Sequence, residues 1–210
     1  MRYVEVSPGE VRLRDGPPSE LPAGSARVRV LACGVCGSDA HLARGMVLPH
    51  GTKYPVRPGH EVAGVVVEVA AGVNAIAVGD DVVLHPLDPC GVCRACLAGR
   101  DERCHAARVL GIQAPGGMAE EVVWPARRMV GVPGLPASEA AVLPDAVATA
   151  HHAVRVAGLP AEGLLCVIGA GGVGSHAIRL ARVLHPEVRV AAVVRSEAGA
   201  RRLAEQGVHA

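Results

Sequence analysis

The chain has 210 residues, half of them apolar, a formal net charge of +1 and no phenylalanine. That length allows one large domain or two small ones, with enough apolar mass for a sizeable core of aliphatic side chains. The near-neutral charge, without a basic block, argues against a nucleic-acid surface and against electrostatic docking on a membrane, and no apolar run is long enough to span a bilayer.

The first half reads as β structure. Residues 2–6 and 26–31 alternate polar and apolar, the pattern of half-buried strands, and 62–69 is a valine-rich run bounded by glycines. Gly79-Asp80-Asp81 is a turn signal ahead of a strand at 82–84, and 120–123 and 128–130 are shorter candidates. Short strands broken by glycine and proline point to a barrel or sandwich. Helix is expected over 137–142 and 145–156, interrupted at Pro144. From Leu164 the pattern becomes α/β: strand 164–168, helix 173–184, strand 188–194, helix 197–206. A domain boundary is expected near Gly158-Leu159-Pro160, giving domains 1–157 and 158–210.

The start, Met1 to Val6, has no apolar signal region, so the cytoplasm is the expected compartment. In that setting clustered cysteines read as metal ligands rather than disulfides. Cys90, Cys93, Cys96 and Cys104 lie within one short segment. Four thiolates close the tetrahedral shell of zinc, so this site is expected to staple a lobe at 90–104 rather than to react. Nearby Arg94, Arg100 and Arg103 either offset its negative charge or are solvated surface. Cys33 and Cys36 form a C-x-x-C that admits a redox pair or two ligands of one zinc. Cys166, within an apolar strand, reads as a small buried hydrophobe.

Gly169-Ala170-Gly171-Gly172-Val173-Gly174 follows an apolar strand and opens a helix, the setting in which a G-x-G-x-x-G run binds a dinucleotide. Gly169 permits the tight turn, Gly171 the approach of a pyrophosphate, and Gly174 close packing of helix on strand. The helix start adds free N–H groups for the anion. The second strand ends in Val194-Arg195-Ser196, without the acid that would bond the ribose of NAD. Arg195 and Ser196 suit a 2′-phosphate, so NADP is favoured slightly over NAD, with Glu197 as the alternative acid.

Cys36-Gly37-Ser38-Asp39, the run Gly59-His60-Glu61-x2-Gly64-x5-Ala70-x2-Val73, the four-cysteine lobe and the glycine turn occur in this order. In this the chain resembles the zinc-dependent medium-chain alcohol dehydrogenases. The resemblance implies a GroES-like β-barrel domain followed by the first βαβα part of a Rossmann doubly wound sheet. It implies two zinc ions, one structural and one catalytic, the latter held by Cys36, His60 and Asp145, where the commonest family pattern has a cysteine in place of Asp145. Glu61 remains a competing carboxylate ligand, and Cys33 then reads as packing. Asp145 and Thr149 are four apart and are expected on one helix face, as ligand and cofactor contact. By the same resemblance Ser38 takes a proton from the substrate oxygen and passes it through the cofactor ribose to His41, while Asp39 orients His60. For His41 the alternative is a surface histidine. Gly37 stands where some members carry a basic residue for the pyrophosphate.

The activity implied is hydride transfer between a small alcohol or carbonyl compound and NAD(P). A doubly wound sheet takes about six strands, and two are readable here. The expectation is therefore either a fragment of a longer protein, homo-oligomeric when complete, or a chain completed by a second polypeptide. Alone, it is expected to bind zinc with little or no turnover.

Overall fold

The computed structural model describes residues 1–49 and 52–208; His50 and His209, histidines without an expected role, lie outside the described residues. The chain divides into two compact units, Met1–Asp145 and Ala146–Ala210.

The first unit opens with a hairpin, β1 (Arg2–Ser7) and β2 (Glu10–Asp15), paired along its whole length. The second strand of this hairpin was not foreseen, because Val11 and Leu13 stay 61% and 68% exposed and leave no buried stripe to read. Next come β3 (Ser25–Gly34), α1 (Gly37–Ala43), β4 (Glu61–Val69), β5 (Asp81–Leu84), β6 (Leu87–Asp88), α2 (Arg94–Leu97), β7 (Arg108–Val109), β8 (Glu121–Pro125), β9 (Met129–Gly131) and α3 (Ala137–Ala140). Five strands form one antiparallel sheet in the order β8-β3-β4-β5-β9. Isolated bridges, Tyr3 with Ala119 and Val6 with Val56, tie the hairpin to the rest of the unit. β6 and β7 pair with each other beside the cysteine lobe.

The core of this unit is aliphatic around one indole. Val28, Val62, Val66, Val82, Leu84 and Leu110 are fully buried against Trp124, whose ring N–H donates to the His85 carbonyl at 2.9 Å. Each such side chain contributes roughly 1.5–3 kcal/mol by leaving water. Gly64 sits at the centre of β4, where an added Cβ would stand 2.2 Å from the Arg29 carbonyl oxygen. The β3–β4 ladder therefore closes tightly only because this position has no side chain.

The second unit holds α4 (Ala148–Ala157), β10 (Gly163–Ile168), α5 (Gly172–Leu184), β11 (Val188–Val193) and α6 (Glu197–Glu205), with the two strands parallel. The division falls after Asp145, earlier than the expected boundary at 158, because α4 packs into the core of the second unit: Val154 is buried with Ile178, Val190 and Leu203. A second correction concerns residues 145–156, which do not form one regular helix. Leu143–Val147 is a π-helical turn and α4 starts after it. Pro144 offers no N–H and crowds the preceding turn, which favours the wider winding.

The two-stranded sheet is covered on one face only. Leu165, Val167, Val190 and Ala192 pack in the core, whereas Leu164 is 60%, Ile168 85% and Val193 55% exposed on the other face. Cys166 is exposed on that face, contrary to its expected burial. The reason is the period of the strand: it turns alternate residues outward, and among the described residues nothing covers them. No helix among the described residues is long and apolar enough to cross a membrane.

Three stability measurements check this packing. Gly64→Ala is expected to cost about 1–3 kcal/mol by overpacking, read as a lower urea midpoint of Trp124 fluorescence. Ile178→Ala, read by circular dichroism, is expected to cost about 2–5 kcal/mol. By the same readout Leu164→Gln, on the uncovered face, should change stability by no more than about 0.5 kcal/mol.

Candidate metal centre and nucleotide cleft

The metal centre lies in the first unit and begins with the register of β3 against β4. Gly34 pairs with Glu61, so the antiparallel ladder sets the end of one strand beside the start of the other. Cys36 follows β3 and His60 immediately precedes β4, and the register brings the two together. Asp145 joins them from the π-helical turn. One donor atom from each of Cys36, His60 and Asp145 lies within 4.8 Å of the others. Asp145 Oδ2 stands 3.2 Å from His60 Nε2 and 3.6 Å from Cys36 Sγ. Tetrahedral zinc, with bonds of about 2.0–2.3 Å, would separate nitrogen from oxygen by about 3.4 Å and sulfur from oxygen by about 3.6 Å. The donor set fits that ion in both chemistry and spacing, and three ligands leave a fourth position open.

The surroundings order this set. Asp39, buried, accepts the Cys36 backbone N–H at 2.8 Å through Oδ2 and directs Oδ1 toward His60 Nδ1 at 3.9 Å. Asp39 thus ties down the loop at Cys36 and places a carboxylate oxygen on the far side of the imidazole, beyond hydrogen-bond distance. The Asp145 carboxylate raises His60 to a pKa of about 9, against the opposing effect of burial. Glu61 is buried opposite Gly34, where a Cβ would meet its Oε2 at 2.0 Å, and lies outside the three-donor group. Cys33 packs against the sheet core, and its thiol is pushed up to about 12 by burial, with the charges of Asp39 and Glu61 adding to the shift. All seven cysteines are free thiols. Ser38 and His41 share α1 at a spacing that puts them on one side of the helix; Ser38 Oγ is buried without a hydrogen-bond partner among the described residues, and His41 is exposed.

The four-cysteine lobe is compact. Cys93 Sγ lies 3.5 Å from Cys96 Sγ, Cys104 Sγ 3.5 Å from Cys90 Sγ, and Cys90 Sγ 3.9 Å from Cys96 Sγ. A disulfide requires about 2.0 Å, whereas thiolates around tetrahedral zinc stand about 3.8 Å apart. Backbone N–H groups of Val92 and Cys93, with the Cys104 thiol, lower Cys90 to about 6. Behind the lobe the buried Asp88 accepts from Arg108 at 2.6 Å and also from Arg127, and Asp101 within the lobe accepts from Arg128 at 2.7 Å.

The nucleotide cleft lies in the second unit. Gly169 has φ +91°, a turn only glycine makes without strain. A Cβ on Gly174 would stand 1.9 Å from the Gly169 carbonyl oxygen, which is the close helix–turn approach expected of the third glycine. Gly171 has open space around it and precedes α5, whose first residues are Gly172 and Val173. A cleft of about 560 Å³ is lined by Gly169, Gly171, Arg195 and Ser196, and also by Arg202. Ser196 caps α6, its Oγ accepting the Gly199 N–H at 3.2 Å. Arg202 was missed; the spacing Ser196, Gly199, Arg202 along one helix side is the signal that could have found it. Thr149 lies on α4 of this unit.

Comparison with known proteins matches the same two units. The alcohol dehydrogenase GroES-like domain family matches residues 22–134. D-altritol 5-dehydrogenase of Agrobacterium fabrum is 37% identical over 138 residues, 65% of this chain and 40% of that protein. Among solved structures, RspB of Escherichia coli CFT073, an alcohol dehydrogenase complexed with NADH, superposes with a TM-score of 0.90 at 29% identity, covering 99% of this chain and 60% of that one. A structure described as a zinc-binding dehydrogenase of Sinorhizobium meliloti 1021, bound to NADP, gives 0.88 at 34% identity, covering 99% and 60%. The chain thus spans less than two thirds of the relatives it matches. On the matched domain and the fold shared across both units, the chain belongs to the zinc-type medium-chain alcohol dehydrogenase family.

Proposed function

We propose that this chain carries the metal centre and the first part of the nucleotide site of a zinc-dependent alcohol dehydrogenase or carbonyl reductase, acting on a small alcohol or carbonyl compound with NAD(P). The observation that carries this reading is the convergence of Cys36, His60 and Asp145 into one open donor set. Zinc held there would supply Lewis acidity toward an alcohol or carbonyl oxygen, and NAD(P) the hydride acceptor or donor.

The chain's own groups serve the rest. Asp39 fixes the imidazole ring of His60 and the backbone at Cys36. Ser38 Oγ, buried without a partner, holds the proton of a substrate hydroxyl. His41, exposed on the same side of α1, exchanges that proton with water. Glu61 acts from beyond the donor set as a buried negative charge rather than as a ligand. In the second unit the α5 N-terminus and Gly171 receive the pyrophosphate. Arg195 and Ser196, joined by Arg202, favour the 2′-phosphate of NADP. Thr149 is the further cofactor contact. Cys90, Cys93, Cys96 and Cys104 hold a structural zinc that reacts with nothing. The cytoplasm is the compartment this thiol chemistry suits.

The uncovered sheet face favours a second reading for the chain on its own, as a zinc-binding body without turnover until that face is covered. A panel of primary, secondary and polyol alcohols with NAD and NADP separates the two: turnover by the chain alone excludes the second. Metal analysis tests the donor sets. The chain should hold about two zinc ions, and the double variant Cys36→Ser/His60→Ala about one, with the Trp124 unfolding transition kept. Two ions persisting in that variant would refute the triad as a site. For the nucleotide, calorimetry should show Arg195→Gln weakening NADP by roughly tenfold while NAD is little changed. Equal loss for both would refute the 2′-phosphate role.

A further inference from the structure

A second cavity, of about 460 Å³, opens in the first unit away from the metal centre, and none of Cys36, His60, Asp145 or the four lobe cysteines lines it. Its walls include Tyr3 and Glu5 from β1, Thr52 and Lys53 from the segment leading to Arg57, and Gln113. That volume lies within the range of small-molecule sites.

Arg57 is the unusual member. Its guanidinium carbon lies 3.9 Å from the centre of the Tyr3 ring, so the cation rests on the aromatic face. Among the described residues its buried Nε–H meets no acceptor and its guanidinium makes no ion pair. A guanidinium offers five donors in a fixed fork, and a wall that leaves them free is suited to a planar or tetrahedral oxyanion. Lys53 adds a second cation without an ion pair among the described residues. The carboxylate in the wall does not cancel them, because Glu5 is already engaged by Arg14 at 3.0 Å. Gln113 spends its carbonyl on the Val109 N–H at 3.0 Å, which leaves its amide N–H groups as the free donors. Residues that carry cations and donors therefore line the cavity, and its one acid is paired with Arg14.

We propose that this cavity is an anion site separate from the dehydrogenase centre, and that it takes a small organic oxyanion, a phosphate ester or a carboxylate, gripped by Arg57 with Lys53 and Gln113 beside it. Stacking on Tyr3 holds the guanidinium in place before the ligand arrives, which reduces the ordering cost of binding. Its lining shares no residue with the nucleotide cleft or with the metal donor set.

The chain has two tyrosines, Tyr3 and Tyr54, and fluorotyrosine labelling gives each its own fluorine NMR signal. Inorganic phosphate and citrate are titrated separately at constant ionic strength. A saturable shift of the Tyr3 signal, with Tyr54 unmoved, is expected from at least one of them. Phosphate alone identifies a phosphate ester as the ligand class, citrate alone a carboxylate, and both a site that reads oxyanion charge. Arg57→Gln should weaken that response by about tenfold or more, with Trp124 fluorescence reporting that the fold is kept. Lys53→Gln, on an exposed residue, should weaken it several-fold and provides the test if the first variant fails to fold. No saturable shift with either anion, or a response unchanged in the folded variants, would overturn the proposal.

Discussion

The antiparallel register of β3 against β4 is the constraint on which the metal centre depends. Gly34 opposite Glu61 means that the residues just beyond these positions, Cys36 and His60, emerge at the same end of the ladder. Because strand side chains alternate faces, a slip of one residue would turn one strand's side chains to the wrong face and part the two ends. Two features hold the register. Gly64 lets the backbones close at the middle of the ladder, and Gly34 leaves room for the buried Glu61 at its end. The valine-rich face of β4, buried against Trp124 and Leu84, makes any other register expose apolar surface.

With the register set, the remaining parts need little adjustment. Asp39, in the first turn of α1, accepts the Cys36 backbone N–H and sets its other carboxylate oxygen 3.9 Å from the His60 ring. Asp145 arrives from a π-helical turn, where Pro144 disturbs regular helix, and completes the donor set. Three donor residues from three separate segments gather charge and polarity around a buried imidazole, and such a grouping persists when its members pair or bind an ion. The four-cysteine lobe obeys a different logic. Its cysteines come from one short segment, their sulfurs stand at zinc-shell spacing, and its rim is anchored by arginine–aspartate pairs.

Much of this was legible in the residues. Cysteine spacing revealed the lobe without help from tertiary structure, because all four ligands lie within one loop. The glycine turn was legible because a parallel βαβ unit leaves a local trace; Gly169 makes a left-handed turn and Gly174 lies tight against its carbonyl. The triad was less accessible. Nothing local joins Cys36 to Asp145, and only the resemblance to a known family paired them. What could not be read was set by tertiary context. β2 hides because its apolar side chains stay in solvent, and α4 belongs with the second unit because of the side chains that Val154 packs against. Cys166 looked buried because its neighbours are apolar, yet its side of the sheet is bare. The Arg57 cavity left no motif at all, since Tyr3, Arg57 and Gln113 meet only through the fold.

The central claim is that Cys36, His60 and Asp145 bind one metal ion together, apart from the four-thiolate site. Cobalt substitution with absorption spectroscopy tests this most directly, because thiolate-to-cobalt charge transfer reports which sulfurs touch metal. The account predicts that Cys36→Ser removes one charge-transfer contribution and alters the ligand-field bands of one cobalt ion, leaving the four-thiolate envelope intact. A spectrum identical to that of the unaltered chain would contradict it.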